Sequence, residues 1–242
     1  MNWGCICFDL DNTLLNYEKA FKEGMYFTFK HFFYGESSKL DKVIDHREWF
    51  IIFKKLCDEL WKEVETKRWT KQKYREKRFI LSLNHFGVNT DSDKAEEFQA
   101  YFYANVHQFV EPFEGVYSFI EELKKRKIPL GIITNGDAAL QNRKLHKIGL
   151  SHLFHKEQIF ISSECGSAKP QQHIFNIAHQ RLNSSSAPSL YIGDSWELDI
   201  VGAMNAGWDT IYFNTRNKQP STSHQPIGEC LSISEVKDLL FT

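Results

Sequence analysis

Two carboxylates separated by one residue, Asp9 and Asp11, directly follow the apolar run Gly4 to Phe8. A strand-length run ending in such a loop puts its acids at the carboxyl edge of a sheet, where ligands bind in open parallel sheets. The arrangement recurs: Thr134 and Asn135 follow the run Pro129 to Ile133, and Asp194 follows Gly193 after the run Ser189 to Ile192. Lys169 lies beyond the run Gln158 to Ile161, immediately before Pro170. A lysine at the start of a helix opposes the macrodipole, which points to an anion in front of it. Carboxylates gathered in one crevice repel each other and need a hard divalent cation; magnesium suits, because it takes carboxylate, carbonyl and water oxygens together with a phosphate. The cation and Lys169 would offset the repulsion between an anionic nucleophile and a phosphate, leaving Asp9 able to attack. Asp11, on the same loop, can protonate the leaving oxygen and then deprotonate the water that cleaves the aspartyl phosphate.

Each signal alone has a plainer reading. Asp-Leu-Asp-Asn serves as a polar turn, Asn135-Gly136 is a common turn dipeptide, Lys169 is a solvated loop lysine, and Asp194-Ser195 makes a good N-cap. Four of them, in order and at one sheet edge, favour a site.

The elements that must position these residues are legible in outline. Thr210 to Phe213 is a fifth strand-length run. From Pro129 onward the runs alternate with helical patterns: Ala138 to Ile148 closed by Gly149, Pro170 to Leu182 opened by its proline, and Ser195 to Ala206 closed by Gly207. The alternation predicts an α/β fold, a Rossmann-like parallel sheet with helices on both faces. Residues 17–110 differ, being rich in aromatic and charged residues at helical spacing, such as Trp49, Phe50, Phe53, Leu56 and Leu60. They are expected to form an inserted, all-helical cap domain, with residues 1–16 and 111–242 as the core. Most cap aromatics are expected to be packing. Asn214 to Gly228 reads as a polar loop, and a terminal helix follows that Ser232 and Glu235 would cap as a box.

Composition narrows the partners. The 242 residues carry a net charge of -1 and are 42% hydrophobic, with a mean hydropathy of -0.44. Such balance offers no basic footprint for a nucleic acid polymer and no polybasic attraction to a membrane, so a small ligand is expected, and with the site chemistry above it is a small phosphorylated metabolite. The five cysteines show neither zinc spacing nor a disulfide framework and are read as reduced. No apolar stretch is long enough to span a bilayer and no signal peptide is read, making the cytoplasm the expected compartment. Oligomeric state has no signature in the sequence.

Phe8-Asp9-Leu10-Asp11-Asn12-Thr13-Leu14 resembles the first motif of the haloacid dehalogenase (HAD) superfamily, and Ile133-Thr134-Asn135-Gly136 the second. Lys169-Pro170 resembles the third, and Gly193-Asp194-Ser195 with Asp199 the fourth. Order and spacing match across the core, and the insertion lies where members with a helical cap of the first type carry theirs. The resemblance implies a magnesium-dependent phosphatase: Asp9 as nucleophile and metal ligand, Asp11 as general acid/base and a backbone ligand, Asp194 as a ligand. It implies that Thr134, Asn135, Gly136 and Lys169 hold the phosphoryl group, Thr134 and Lys169 aiding catalysis. Ser195 and Asp199 would stand behind the ligands, Asp199 acting through Lys169 or a water on the metal. Ala139-Leu140-Gln141, Gly149-Leu150, Ile161-Ser162 and Gly166 before Ala168-Lys169-Pro170 resemble the bacterial pyrimidine nucleotidase-like branch, which implies a nucleoside monophosphate substrate. A sugar phosphomutase on the same fold stays open. A haloacid dehalogenase would share Asp9 but has no use for Asp11, since displacing a halide from carbon needs no proton donor.

Overall fold

Six parallel strands form one sheet in the order β3-β2-β1-β4-β5-β6. They are β1 (Cys5–Phe8), β2 (Leu130–Thr134), β3 (Ile159–Ile161), β4 (Ser189–Gly193), β5 (Asp209–Phe213) and β6 (Gly228–Cys230). In this computed structural model the described residues are 3–34, 44–182 and 187–241; the remaining residues of the expected domains, 1–2, 35–43, 183–186 and 242, lie outside them. The helices are α1 (Tyr17–Phe33), α2 (His46–Glu65), α3 (Lys71–Asn84), α4 (Ser92–Asn105), α5 (Val116–Lys125), α6 (Ala138–Lys147), α7 (Ser162–Cys165), α8 (Gln172–Leu182), α9 (Gly202–Asn205) and α10 (Ile233–Phe241). The chain divides into two compact units, Met1–Glu18 with Val110–Thr242, and Lys19–Phe109.

The strand order places the topological switch beside β1. The chain runs outward through β2 and β3, then crosses back to lay β4 against the other side of β1. In open α/β sheets the crevice outside the carboxyl ends at that switch receives ligands. Burial explains why the strands read as unbroken apolar runs: every residue of β1, β2 and β4 is buried. Cys5, Cys7, Ile133, Phe160, Ile174, Phe175, Ala178, Tyr191, Ala203 and Trp208 form one packed cluster of the core unit. All five cysteines are free thiols, and only Cys165 is not buried.

Several elements depart from the expected pattern. The segment after Ser195 is not one α-helix; a π-helical turn, Trp196–Val201, precedes α9. Pro170 lies two residues ahead of α8, and α7 intervenes between β3 and Lys169. α5 and β6 have no counterpart in the reading of the sequence. β6 is a three-residue edge strand with one buried side chain, Cys230, so hydrophobic alternation has almost nothing to register. The terminal helix carries half of the expected box: Glu235 N donates to Ser232 Oγ at 3.2 Å, while the Glu235 carboxylate accepts from Leu231 N at 2.8 Å, one residue before the cap.

The second unit is helical and packs by aromatic side chains. Phe29, Trp49, Phe53, Phe79, Phe98 and Phe102 are buried in it, and Trp49 Nε1 donates to Ser82 Oγ at 2.9 Å, satisfying the indole. No described helix is long and apolar enough to cross a membrane.

Candidate active site

Asp9 extends the β1–β4 ladder by one residue: its N–H donates to Ile192 O at 2.9 Å, which fixes the side chain at the lip of the sheet. Asn12 then turns the chain back with φ 62°, a conformation Asn tolerates better than most residues. Its Oδ1 accepts from Glu18 N at 2.9 Å in the first turn of α1. On β4, Tyr191 and Gly193 share a face because side chains alternate. A Cβ at Gly193 would lie 2.5 Å from Asp199 Cβ, so only glycine admits Asp199 against the strand end.

Lys169 joins these pieces. Its Nζ donates to Asp9 Oδ1 at 2.5 Å, to Asp199 Oδ1 at 2.6 Å and to the Tyr191 hydroxyl at 2.9 Å. All three ammonium donors are thereby satisfied, as its burial requires. Tyr191 passes its own proton to Ile133 O at 2.8 Å. Asp199 Oδ2 accepts from Ser195 N at 2.9 Å, so both Asp199 oxygens have partners within the site. Asn135 grips the Lys169 main chain from both sides, accepting from its N–H and donating to its carbonyl, each at 2.9 Å. The Asn135 side chain, expected to hold a phosphoryl group, is thus engaged in placing Lys169. Nor does Lys169 wait at a helix start for an outside anion, since its anions here are two carboxylates of the chain itself.

Asp9, Asp194 and Asp199 are buried, and each offers a carboxylate oxygen within 4.8 Å of the others. That spacing suits the oxygen donors of one hard cation. Arg216, on the loop after β5, places Nη2 2.5 Å from Asp194 Oδ2 as an ion pair without aligned hydrogen-bond geometry. Three carboxylates therefore face two cations, Lys169 and Arg216, and the cluster is one positive charge short of neutral when all are ionised. The electrostatics register the deficit. Burial raises the Asp9 carboxyl to about 7, Lys169 pulls against that, and Asp199 and Asp11 add to the rise. Burial, then Asp9 and Asp199, push Asp194 well above the carboxylate range. Burial would lower the Lys169 ammonium, but Asp199 and Asp9 outweigh it and hold it above its ordinary value.

Asp11 points to different partners. Its two oxygens accept from Lys144 Nζ, each at 2.8 Å, and Oδ2 also accepts from Gln141 Nε2 at 3.1 Å. Gln141 further donates to Thr134 Oγ1 at 2.6 Å, tying Asp11 to the end of β2. Gly136 leaves room for this: a Cβ there would lie 3.1 Å from Gln141 Cγ, while its N–H donates to Ser162 Oγ at 2.9 Å. Asp9, Asp11, Asn12, Thr134, Asn135, Lys169, Asp194, Ser195 and Asp199 line one cavity of about 230 Å³, together with Leu198 and Arg216. The sequence residues named in advance are gathered there, apart from Gly136, which stands behind Gln141. Lys144, Tyr191 and Arg216 were not among them, and Gln141 figured only within a motif.

The sequence profile of the haloacid dehalogenase-like hydrolases matches residues 6–213, from within β1 to the end of β5. The chain belongs to this family. Among its relatives is the pyrimidine 5'-nucleotidase PynA of Streptococcus pneumoniae, 32% identical over 97% of this chain and 94% of that protein. The pyrimidine 5'-nucleotidase YjjG of Escherichia coli is 29% identical over 99% of both chains. The crystal structure of the HAD-hydrolase YfnB of Bacillus subtilis, bound to magnesium, superposes with a TM-score of 0.83 at 25% identity over the full length of both. Within this HAD-like hydrolase, Tyr191 and Arg216 left little signal: a strand tyrosine reads as core, and an arginine in a polar loop reads as solvated.

Proposed function

We propose that this hydrolase is a magnesium-dependent phosphatase that cleaves a small phosphorylated metabolite through an aspartyl phosphate on Asp9, with nucleoside monophosphates as the leading substrate class. The observation that carries the reading is Asp9 held by Lys169 at 2.5 Å on the wall of a cavity that Asp11, Thr134 and Asp194 also line. In the first step an Asp9 oxygen bonds to phosphorus, the ester P–O bond breaks, and Asp11 gives its proton to the departing oxygen. In the second, Asp11 takes a proton from the water that attacks the aspartyl phosphate, which releases inorganic phosphate and restores Asp9. Lys169 neutralises charge beside the nucleophile throughout, and Asp199 and Tyr191 keep it there.

The donor set fits magnesium: all-oxygen, clustered, buried and short of one positive charge. Asp9 and Asp194 would hold the ion, with the Asp11 carbonyl. Asp199 is less available, because Lys169 and Ser195 N already occupy its oxygens. Bound magnesium would supply charge neutralisation for the phosphoryl oxygens and favour the ionised form of Asp9. The names of PynA and YjjG, matched nearly end to end, support nucleotides over the glyceraldehyde 3-phosphate phosphatase of Methanopyrus kandleri, matched over 56% of this chain.

The test is phosphate release from nucleoside monophosphates, sugar phosphates and phosphoglycolate with magnesium present and Asp9→Asn as the blank. Pyrimidine monophosphates are expected to turn over fastest. Preference for another ester replaces the substrate class and keeps the mechanism, whereas steady-state turnover by a folded Asp9→Asn removes the nucleophile assignment.

A further inference from the structure

Lys144 lies in the last turn of α6 and is only 2% exposed, where a helix lysine is ordinarily solvated. A buried ammonium persists only with partners that replace its water. Its carboxylate partner is Asp11, both of whose oxygens it binds at 2.8 Å, and its charge also lies 4.2 Å from the centroid of the Tyr17 ring. Gln141, three residues earlier on the same helix face, is 1% exposed and bridges Asp11 Oδ2 at 3.1 Å to Thr134 Oγ1 at 2.6 Å. Neither side chain touches Asp9 or the acidic cluster by any of these bonds. Both act on Asp11, a carboxylate of the cavity that neither Lys169 nor Arg216 holds.

We propose that Lys144, assisted by Gln141, is the positioning residue for the proton-transfer work of Asp11, an inference that rests on the phosphatase reading above. Without these two donors Asp11 is a loop carboxylate turning about two torsions. With them it has one orientation, fixed from α6 relative to Thr134 and hence to β2. A general acid must meet the leaving oxygen within hydrogen-bond reach, and displacement by an ångström is enough to cost a large part of its effect. Leaving-group dependence separates this role from simple support of the fold, because an ester whose leaving group departs as a stable anion needs no proton from Asp11.

The experiment compares kcat/KM for an alkyl phosphate and for p-nitrophenyl phosphate in the wild type, Lys144→Met, Lys144→Arg, Asp11→Asn and the Lys144→Met/Asp11→Asn double variant. Lys144→Met is expected to lose about tenfold or more on the alkyl ester and at most about threefold on the nitrophenyl ester. Lys144→Arg should recover most of the alkyl activity, and adding Lys144→Met to Asp11→Asn should cost nothing further. Gln141→Leu keeps the ion pair and should show the same selective loss at smaller size, which serves if Lys144→Met does not fold. Equal loss on both esters, or losses that multiply in the double variant, overturns the positioning role while leaving the phosphatase reading intact. With a nucleoside monophosphate as the alkyl ester, a wild type inactive on it, on the nitrophenyl ester and on the sugar phosphates and phosphoglycolate of the substrate panel overturns that reading and this inference with it.

Discussion

Replacing Gly193 with alanine probes how the site is built with a single methyl group. The added Cβ would lie 2.5 Å from Asp199 Cβ and Cγ and 2.6 Å from Oδ2. Carbon atoms rest about 3.5 Å apart, so Asp199 must retreat by about 1 Å. It has no flexible stem to yield with; its Cβ moves only with the π-helical turn Trp196–Val201. The retreat stretches the Lys169–Asp199 contact from 2.6 Å to about 3.6 Å, and at an effective dielectric constant of about 20 the attraction falls from about 6.4 to about 4.6 kcal/mol. Overpacking strain of about 1–3 kcal/mol adds to this loss of about 2 kcal/mol. The expected destabilisation is about 3–5 kcal/mol, a large share of the ~5–15 kcal/mol that holds a typical domain folded. Urea denaturation followed by circular dichroism in metal-free buffer measures it, and phosphate release should fall in parallel as Lys169 loses its second carboxylate. In an Asp199→Gly background the three atoms nearest the methyl are gone, and the same substitution should cost clearly less than in the wild type. A Gly193→Ala protein within about 0.5 kcal/mol of wild type and fully active would refute the reasoning.

Two further outcomes follow from the charge deficit. Asp9 holds its proton to about pH 7 when folded, against an ordinary value of 3.8, so between about pH 4 and pH 7 the unfolded chain releases a proton that the folded chain keeps. The metal-free protein should therefore lose stability as pH rises through that window, by at most about 4 kcal/mol from this group, with raised Asp194 acting in the same direction. Lys169, held above its ordinary value, contributes stability that is constant there. Urea midpoints at pH 5 and pH 8 check this, and an unchanged pH slope in Asp9→Asn would contradict it. Chelation with EDTA should stop phosphate release and magnesium restore it, with magnesium raising the melting temperature of the EDTA-treated wild type more than that of Asp194→Asn. Undiminished activity in metal-free buffer would remove the metal from the mechanism.

The sheet and most of the candidate site were legible because they depend on local relations. A buried parallel strand is a continuous apolar run, and the polar residue that ends it lies at the carboxyl edge wherever the strand sits; Asp9, Thr134 and Asp194 needed nothing more. Short edge elements and local helix geometry escaped, as in β6 and in the π-helical turn that brings Asp199 against Gly193. Each depends on packing that periodicity does not encode.

By itself the sequence determined the parallel α/β core, the helical insertion and the residue types able to transfer a phosphoryl group, since those follow from burial periodicity and from side-chain chemistry. Only tertiary structure decided how the acids are divided. Asp9 and Asp199 fall to Lys169, 160 and 30 residues away along the chain, and Asp11 falls to Lys144, 133 residues away. Nothing in a helix sequence distinguishes a lysine facing water from one facing a carboxylate on a distant strand end. The placement of Lys144 of α6 against the loop after β1 makes that distinction, and it turns two neighbouring aspartates of one loop into groups with different partners.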